Sequence, residues 1–446
     1  MTVKLIKGLR FEGIYSTVLA KNSSRQFEGQ DLYDVRSEVM SFATYNATTK
    51  LLTYNFPKTG GRLTTNNSNS TDWTLRNQLV YNRDWMDGKH QLTVLVGSEV
   101  QRMKTVVSSD LIRGFDDDLY SFPSIDYKTL ENGFFNVVNP INQGFNFASR
   151  DYFANTELET RVISNYSNLA YTFQNKYGIN ASLRLDQSNL FGKDKSAQNK
   201  PVWSVGGLWN MNREKFMEEF QWLNIFRLRA TYGITGNSPS PGTASSDDII
   251  GPGAGLNYTF SNGNIYRLIT PANRILTWEL TKNTNIGADF GFLNNRISGS
   301  LDLYWKNTQD LLDQYAINPF AIATGSTVLG NVGELKNKGI ELSLTTVNIR
   351  SAQFEWRSTF NGAHNTNTIT KVNASAISTG VDKLRASFVE GYSAYPIFAY
   401  NYAGLDAVGD PQVRLNNGTI TKAFNATKPE DILYMGTYQP KWSGDF

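Results

Sequence analysis

The chain has 446 residues, of which 40% are hydrophobic and 13% aromatic, and its 43 basic and 40 acidic residues leave a net charge of only +3. Charges of both signs are interspersed, and no basic cluster is interleaved with aromatic residues, which excludes the usual pattern of a nucleic-acid-binding surface. The absence of cysteine excludes disulfide bonds and thiolate metal sites. No apolar run reaches the roughly 18 residues of a transmembrane helix.

Alternating apolar and polar residues recur along the whole chain. This period of two is typical of strands whose two faces meet different surroundings. The pattern predicts twelve strands, at residues 3–17, 72–85, 89–107, 159–174, 177–190, 200–213, 222–236, 278–292, 296–311, 337–349, 353–372 and 395–405.

The alternation is most regular between residues 283 and 372. Ile286, Phe290 and Phe292 are separated by polar or small residues, and the same pattern continues through residues 297–306 and 340–345. One face of each strand is therefore apolar, and the other is polar and often charged. A soluble sandwich and a membrane barrel both have such strands, so the alternation alone leaves two folds open.

The lengths of the connections favour the barrel. Short connections fall at residues 86–89, 175–176, 214–221, 293–296 and 350–353, and the long loops at 18–71, 108–158, 191–199, 237–276, 312–336 and 373–394. Tight turns on one side and long loops on the other are typical of outer-membrane barrels. Many strands carry about 12 alternating residues, enough to cross a membrane when tilted, for which about 9–11 suffice. The sequence therefore predicts an all-β fold, an antiparallel transmembrane β-barrel, with residues 1–446 forming part of one barrel domain.

Five segments, in this order, resemble motifs of the SusC-like (RagA-like) TonB-dependent transporters of Bacteroidetes outer membranes. They are residues 177–186 (YGINASLRLD), 203–209 (WSVGGLW), 228–237 (LRATYGITGN), 295–302 (NRISGSLD) and 337–341 (NKGIE). The resemblance is specific from about residue 165 onward and looser before it.

The resemblance implies a plugged barrel of about 22 strands. It also implies import of a glycan or an oligopeptide across the outer membrane, energy from the TonB–ExbB–ExbD complex and a SusD-like lipoprotein that covers the barrel. By that comparison we expect this chain to be part of the barrel, without the signal peptide, the plug or the closing strands. A cell-surface adhesion or binding protein is the main alternative, and a secreted carbohydrate-active β-protein, which would be soluble without detergent, is a further one.

Charged and aromatic residues in the polar phase of the strands are candidates to line the path of a polar solute. The same residues are expected even more often to contact the plug or one another. The candidates are Arg227, Arg229, Asp302, Tyr304, Lys306, Glu355 and Arg357.

Aromatic residues in the predicted loops form a second candidate set. Such rings stack on sugars or on peptide side chains, or pack the loops against a partner protein, and the sequence leaves these readings open. The set comprises Tyr258, Phe260, Tyr266, Tyr315 and Phe320.

Cofactor and enzyme motifs are weak. Residues 116–118 (DDD) offer oxygen ligands to calcium, although a solvated acidic loop is the commoner reading, and we expect no cofactor. The glycine-rich residues 251–255 lack the following Lys-Ser/Thr of a phosphate-binding loop. His90 and His364 are the only histidines and lie in separate predicted strands, so no hydrolytic triad can be assembled and we expect no enzyme activity.

Overall fold

The computed structural model describes residues 1–131, 152–241, 247–252, 266–316, 327–372 and 377–446. The described part of the chain is built mainly of strands, with four short α-helices and four single-turn 3-10 helices at Met211–Arg213, Lys215–Met217, Phe424–Ala426 and Pro429–Asp431. In chain order the elements are β1 Thr2–Ile6, β2 Leu9–Glu28, α1 Tyr33–Ser41, β3 Ala43–Tyr45, β4 Leu52–Tyr54, β5 Gly61–Trp85, β6 His90–Phe115, α2 Tyr127–Glu131, β7 Phe153–Phe173, β8 Tyr177–Ser188, α3 Lys195–Gln198, β9 Val202–Asn210, β10 Leu223–Asn237, β11 Ile249–Pro252, β12 Tyr266–Thr270, β13 Glu279–Phe292, β14 Ile297–Ala316, β15 Thr327–Arg350, β16 Glu355–Val372, α4 Gly380–Arg385, β17 Pro396–Tyr400, β18 Tyr402–Leu405, β19 Pro411–Arg414, β20 Ile420–Thr421, β21 Ile432–Thr437 and β22 Trp442–Asp445.

Thirteen strands form one sheet in the order β1-β2-β5-β6-β7-β8-β9-β10-β13-β14-β15-β16-β22. The strands of this sheet pair in the order in which they occur in the sequence, as in an up-and-down barrel wall. The pairs from β7 to β16 whose register is known are all antiparallel. The predicted all-β antiparallel barrel fold is therefore confirmed, and we call these thirteen strands the wall strands.

Along the chain, connections that are mostly tight turns alternate with connections that are mostly longer. The short ones are residues 7–8, 86–89, 174–176, 211–222, 293–296 and 351–354, and the long ones are 29–60, 116–152, 189–201, 238–278, 317–326 and 373–441. In two of the tight turns, Met86 to Gly88 and Leu293 to Asn295 adopt positive φ. Asp, Asn and Gly tolerate that backbone best, which explains their concentration at these turns. The sorting is not strict, because residues 211–222 number 12 whereas residues 317–326 number 10, so the predicted separation of turns and loops onto two sides stays a prediction.

Two strand predictions were wrong. Residues 3–17 form a hairpin, β1 and β2, that turns at Gly8 with φ 86°, and a tight hairpin preserves alternation on both sides of its turn. Residues 395–405 are not a wall strand, because they form β17 and β18 in two small separate sheets. The next wall strand is β22, where Trp442 pairs with His364 of β16. Residues 373–441 are thus one long connection, which restores the alternation that a wall strand at 395–405 would break.

Several wall strands extend further toward the loops than the sequence predicts. Strand β5 begins at Gly61 instead of residue 72, β6 ends at Phe115 instead of residue 107, and β15 begins at Thr327 instead of residue 337. The added segments lack a regular apolar–polar alternation, and the one in β5, residues 61–71, is almost entirely polar or glycine. Hydrogen bonds between the backbones of neighbouring strands do not depend on apolar side chains, so they extend the strands beyond the alternating region. The predicted loops 18–71, 108–158 and 312–336 are correspondingly too long.

The apolar face of the wall strands is open to its surroundings. Ile286, Trp305 and Ile340 lie in adjacent strands on this face and are 49%, 43% and 40% exposed. A water-soluble protein rarely leaves so large a contiguous apolar surface uncovered. Such a face matches the lipid-facing band of a membrane barrel, in which apolar residues point outward and polar residues inward.

The chain divides into two compact units. The first comprises Met1–Ile14, Leu75–Val100 and Val162–Phe446, and the second comprises Tyr15–Thr74 and Gln101–Arg161. The second unit has a small core in which Phe42 and Phe56 meet edge to face at 4.6 Å, beside Leu130. In the first unit Phe191 packs on Trp278 at 4.6 Å, at the loop end of the strands. No helix in the described residues has the length and hydropathy to span a membrane.

Candidate functional site

The register of β10, β13 and β14 brings two of the predicted charged residues together. Arg229 lies opposite Gly287, and Gly287 lies opposite Asp302, so all three share the polar face. Gly287 has no side chain, and a Cβ there would come within 2.5 Å of Asp302 Oδ1 and 2.8 Å of Arg229 Nη2. The glycine therefore lets two long side chains meet across the strand that separates them.

Arg229 is the centre of a charge cluster. Its Nη2 donates to Asp289 Oδ1 at 2.9 Å and to Asp302 Oδ2 at 3.0 Å, and its Nε donates to Asp289 Oδ1 at 3.2 Å. Arg227 lies at the edge of the cluster, where Nη1 is 3.8 Å from Asp289 and Nε donates to Asn210 at 2.8 Å. We call Arg227, Arg229, Asp289 and Asp302 the wall cluster.

A polar hollow of about 420 Å³ opens beside the wall cluster. Asp302 lines it together with Glu341, Ser343, Asn361 and Asp445 of β22, and Leu342 and Ala363 add apolar surface. Carboxylates, hydroxyls and amides can together accept and donate hydrogen bonds to a polar solute. The hollow is therefore chemically suited to contact either a hydroxyl-rich or an amide-rich molecule.

Tyr304 and Lys306 lie further along the same face of β14. The Tyr304 ring is buried and lies over Gly339, which leaves room for it because it carries no side chain. Asn365 donates to the Tyr304 hydroxyl at 2.6 Å and to Asn337 at 3.0 Å. Lys306 stays exposed, with its Nζ 4.9 Å from the centre of the Tyr304 ring. Tyr304 is thus a fixed part of the wall, whereas Lys306 presents a charge to its surroundings.

Glu355 and Arg357 do not join the wall cluster. They lie at the start of β16, next to the tight turn, where Glu355 accepts from Arg350 and from Arg357, each at 2.8 Å. All three side chains are well exposed. These two residues therefore lie at the turn end of the wall strands and do not line the hollow.

The predicted loop aromatics fall mostly outside what the structure describes. Tyr258, Phe260 and Phe320 lie outside the described residues, and Tyr266 begins β12, where only the backbone is described. Tyr315 belongs to β14, opposite Val328, and its ring lies over Gly330. Tyr315 is therefore a strand residue rather than a loop residue, and the role of the other four stays a prediction.

A second charged group on the polar face was not singled out from the sequence. Arg184 of β8 bonds Asp186 and Ser164, each at 2.8 Å, and lies 3.8 Å from Glu99. Glu99 also accepts from Arg76 at 2.6 Å. The polar phase of residues 180–186 was visible in the sequence, but only the strand register shows that these charges meet across neighbouring strands.

The acidic run at 116–118 is engaged within the chain. Asp116 Oδ1 accepts from the backbone N–H groups of Asp118 and Leu119, each at 3.0 Å. Asp117 pairs with Arg25 at 2.6 Å. Within the described ranges, no group of three acidic or histidine side chains is placed to hold a metal ion. A turn and an ion pair account for two of the three carboxylates, while calcium binding and the expected lack of a cofactor stay untested predictions.

Hydrogen bonds also fix carboxylates in the long connection between β16 and β22. Asp431 accepts from the backbone N–H groups of Asn416 and Lys428, each at 2.7 Å, and these bonds lower the pKa of Asp431. Lys422 lies between Asp406 and Asp410, and its bond to Asp406 is the main cause that lowers the pKa of that carboxyl. The connection is therefore a folded module, held together by ionised carboxylates.

The chain belongs to the TonB dependent receptor-like β-barrel family, whose model matches residues 11–438. This confirms the resemblance that the sequence motifs indicate.

Individual relatives agree with the family. The chain is 28% identical to TonB-dependent receptor P39 of Formosa agariphila over 336 residues, which is 75% of this chain and 29% of that protein. It is 29% identical to TonB-dependent receptor SusC of Bacteroides thetaiotaomicron over 300 residues, which is 62% of this chain and 29% of that protein. The chain thus spans less than a third of the length of these curated relatives.

Among solved structures, the fold resembles a chain of the RagAB peptide transporter. The TM-score is 0.72 at 21% sequence identity, with 99% of this chain and 44% of that chain covered. At this identity the similarity bears on the fold alone.

Proposed function

We propose that this chain forms part of the barrel wall of an outer-membrane transporter that imports a nutrient oligomer, either a glycan or an oligopeptide. Its wall strands cross the membrane with their apolar face toward lipid. Their polar face contributes to the path or to the plug-contacting surface within the barrel. Energy is supplied by the TonB–ExbB–ExbD complex, and a SusD-like lipoprotein covers the barrel from outside.

The observation that carries this proposal is the opposite character of the two faces of the same strands. Trp305 is 43% exposed on the apolar face, while its neighbour Tyr304 is buried among polar partners on the other. On the polar face the charges are held in the wall cluster, beside a hollow of hydroxyls, amides and carboxylates. A lipid-facing exterior and a charged interior are the features that a membrane pore for polar solutes requires.

The names of the relatives support the proposed lipoprotein partner and the proposed TonB energy source. Two relatives are named TonB-dependent receptors, one of them SusC, and the fold resembles a peptide transporter. A solute as large as an oligomer needs loops to capture it, and several of the connections between successive wall strands are long enough to serve as such loops. Glycan and oligopeptide both fit a hollow that donates and accepts hydrogen bonds.

Uptake by living cells tests the proposal. Mixtures of oligosaccharides and of oligopeptides are offered to the source strain, to a deletion of the gene, and to a strain lacking TonB. Depletion of each compound from the medium is followed by mass spectrometry. We expect at least one class to be taken up only when both the gene and TonB are present.

Measuring how the same compounds bind to the cell surface distinguishes import from the alternative function, which is binding or adhesion at the cell surface. If cells with the gene bind an oligomer but its uptake is unchanged by deleting the gene or TonB, the import proposal fails. That outcome would favour the cell-surface binding or adhesion function.

A further inference from the structure

The second compact unit contains a cavity of about 350 Å³ beside helix α1, well away in sequence from the wall cluster. We propose that this cavity binds the carboxylate end of an oligopeptide whose last residue is apolar. We call it the α1 cavity. Its role as a capture site on the import path rests on the proposed function, whereas the binding itself does not.

The floor of the α1 cavity is apolar. Val35 and Val39 lie one helical turn apart on α1, and Met40 and the Tyr54 ring of β4 complete the floor. Val35 is only 6% exposed, so the floor is anchored in the packed part of the unit. Gln30 Oε1 accepts from the backbone N–H of Gly60 at 3.0 Å, which joins the two ends of the segment that carries the cavity. An apolar floor of this size suits a Leu- or Val-like side chain.

The rim of the α1 cavity is positively charged. Lys58 and Arg36 line it, together with one acid, Asp31, so the rim carries a net charge of +1. Arg36 pairs with Asp31 at 3.1 Å. Lys58 Nζ lies 5.2 Å from the centre of the Tyr54 ring, and no carboxylate of the described residues lies within ion-pair distance of it. Lys58 can therefore bind an incoming anion without breaking an existing ion pair.

An apolar floor beside a cationic rim selects for a ligand that is apolar at one point and anionic next to it. The C-terminal residue of a peptide has this chemistry, since its side chain and its carboxylate leave the same carbon atom. An acidic sugar carries a carboxylate as well, but its ring is covered with hydroxyl groups. Such a ring would leave those hydroxyl groups unpaired against Val35, Val39 and Met40, which costs binding free energy. The cavity therefore favours the peptide over the acidic glycan.

Titration calorimetry with the complete gene product in detergent tests this assignment. The probes are the tripeptide Gly-Gly-Leu with a free carboxylate, the same tripeptide as its C-terminal amide, and trigalacturonate. We expect the free tripeptide to bind and its amide to bind about two- to fivefold more weakly, since Arg36 already pairs with Asp31 and Lys58 is the rim charge left to pair with the carboxylate. Lys58→Gln should weaken the free tripeptide about two- to fivefold but leave the amide unchanged.

Two control variants separate binding from folding. Lys50→Gln removes a lysine of the same segment that does not line the cavity and should change nothing. Lys58→Arg keeps the charge and should restore most of the affinity. Equal binding of the free and amidated tripeptides, or no binding of either, would overturn the proposal. Binding of trigalacturonate in preference to the tripeptide would overturn it as well. Peptide binding without TonB-dependent uptake of any compound would leave the cavity assigned and refute the import function.

Discussion

Replacing Arg229 by Gln tests whether the wall cluster holds neighbouring strands together. Arg229 makes three charge-assisted hydrogen bonds, at 2.9 and 3.2 Å to Asp289 and at 3.0 Å to Asp302. The three side chains are 31%, 25% and 21% exposed, so water screens them only in part. Removal of the cation also leaves two carboxylates facing each other. We expect the free energy of unfolding to fall by about 2–3 kcal/mol.

The assay is a double-mutant cycle with Arg229→Gln, Asp302→Asn and the double variant. Unfolding by urea in detergent micelles is followed by tryptophan fluorescence, and the chain has 9 tryptophans to report it. The coupling free energy between Arg229 and Asp302 should be about 1–2 kcal/mol. Arg227→Gln is the matched control on the same face of β10. Because Arg227 lies 3.8 Å from Asp289 and is 44% exposed, its loss should cost less than about 1 kcal/mol.

A coupling below about 0.3 kcal/mol would show that the two charges act independently. An equal loss of stability in Arg227→Gln and Arg229→Gln would also contradict this account, because it would make the effect one of general charge rather than of the bonds across Gly287.

Three further predictions concern the lipid-facing surface, the packing of Tyr304 and the loop module. Ile286→Arg should destabilise the folded protein in lipid vesicles by about 2–4 kcal/mol, whereas Asn285→Arg on the polar face should cost much less; equal costs would contradict the assigned faces. Gly339→Val should displace the Tyr304 ring and lower stability by about 1–3 kcal/mol, while Gly207→Val, which meets open space, should be tolerated; the reverse order in urea unfolding would refute the packing. The lowered pKa of Asp431 means that its stabilisation is present above the ordinary carboxyl value and is lost as pH falls through the folded value. The protection factors of the amides in residues 411–437, which correct for the intrinsic pH dependence of exchange, should therefore fall below about pH 4, and Asp431→Asn should remove that fall; equal protection factors at pH 3 and pH 6 would refute it.

The order of the wall strands follows from local properties of the sequence. Alternation marks Ile286 and Phe290 as one face, and turn residues such as Asn294 and Gly88 mark where each strand reverses. Since an antiparallel wall joins strands that follow each other in the chain, these signals are enough to predict the sheet. The family could be predicted as well, because its motifs lie on the same strands.

The meeting of charges across strands could not be predicted in the same way. Arg229 and Asp302 are far apart in the chain, and their contact depends on the register of two strand pairs and on the glycine between them. Glu355 has the same phase pattern but lies at a turn. Alternation gives the face of a residue but not its height along the strand.

The prediction of a wall strand at residues 395–405 was wrong for a related reason. Residues 397–400 form a short apolar run that is typical of a strand, but Phe398 packs on Tyr392 and Tyr434 inside the connection itself. A strand that pairs within a loop module has the same local pattern as one that pairs with the wall. Only the identity of the partner distinguishes them, and that depends on contacts distant in sequence.

The central claim is that one face of the wall strands contacts lipid and the other does not. The most direct test is to measure the accessibility of each face to lipid and to water. The chain has no cysteine, so single cysteines at Ile286 and Asn285 can carry nitroxide labels in the complete protein reconstituted in lipid. We predict that the label at 286 collides with oxygen dissolved in lipid and is shielded from a water-soluble nickel chelate, and that the label at 285 is shielded from the lipid-dissolved oxygen. Equal exposure of both labels to the nickel chelate would contradict the membrane wall on which this account depends.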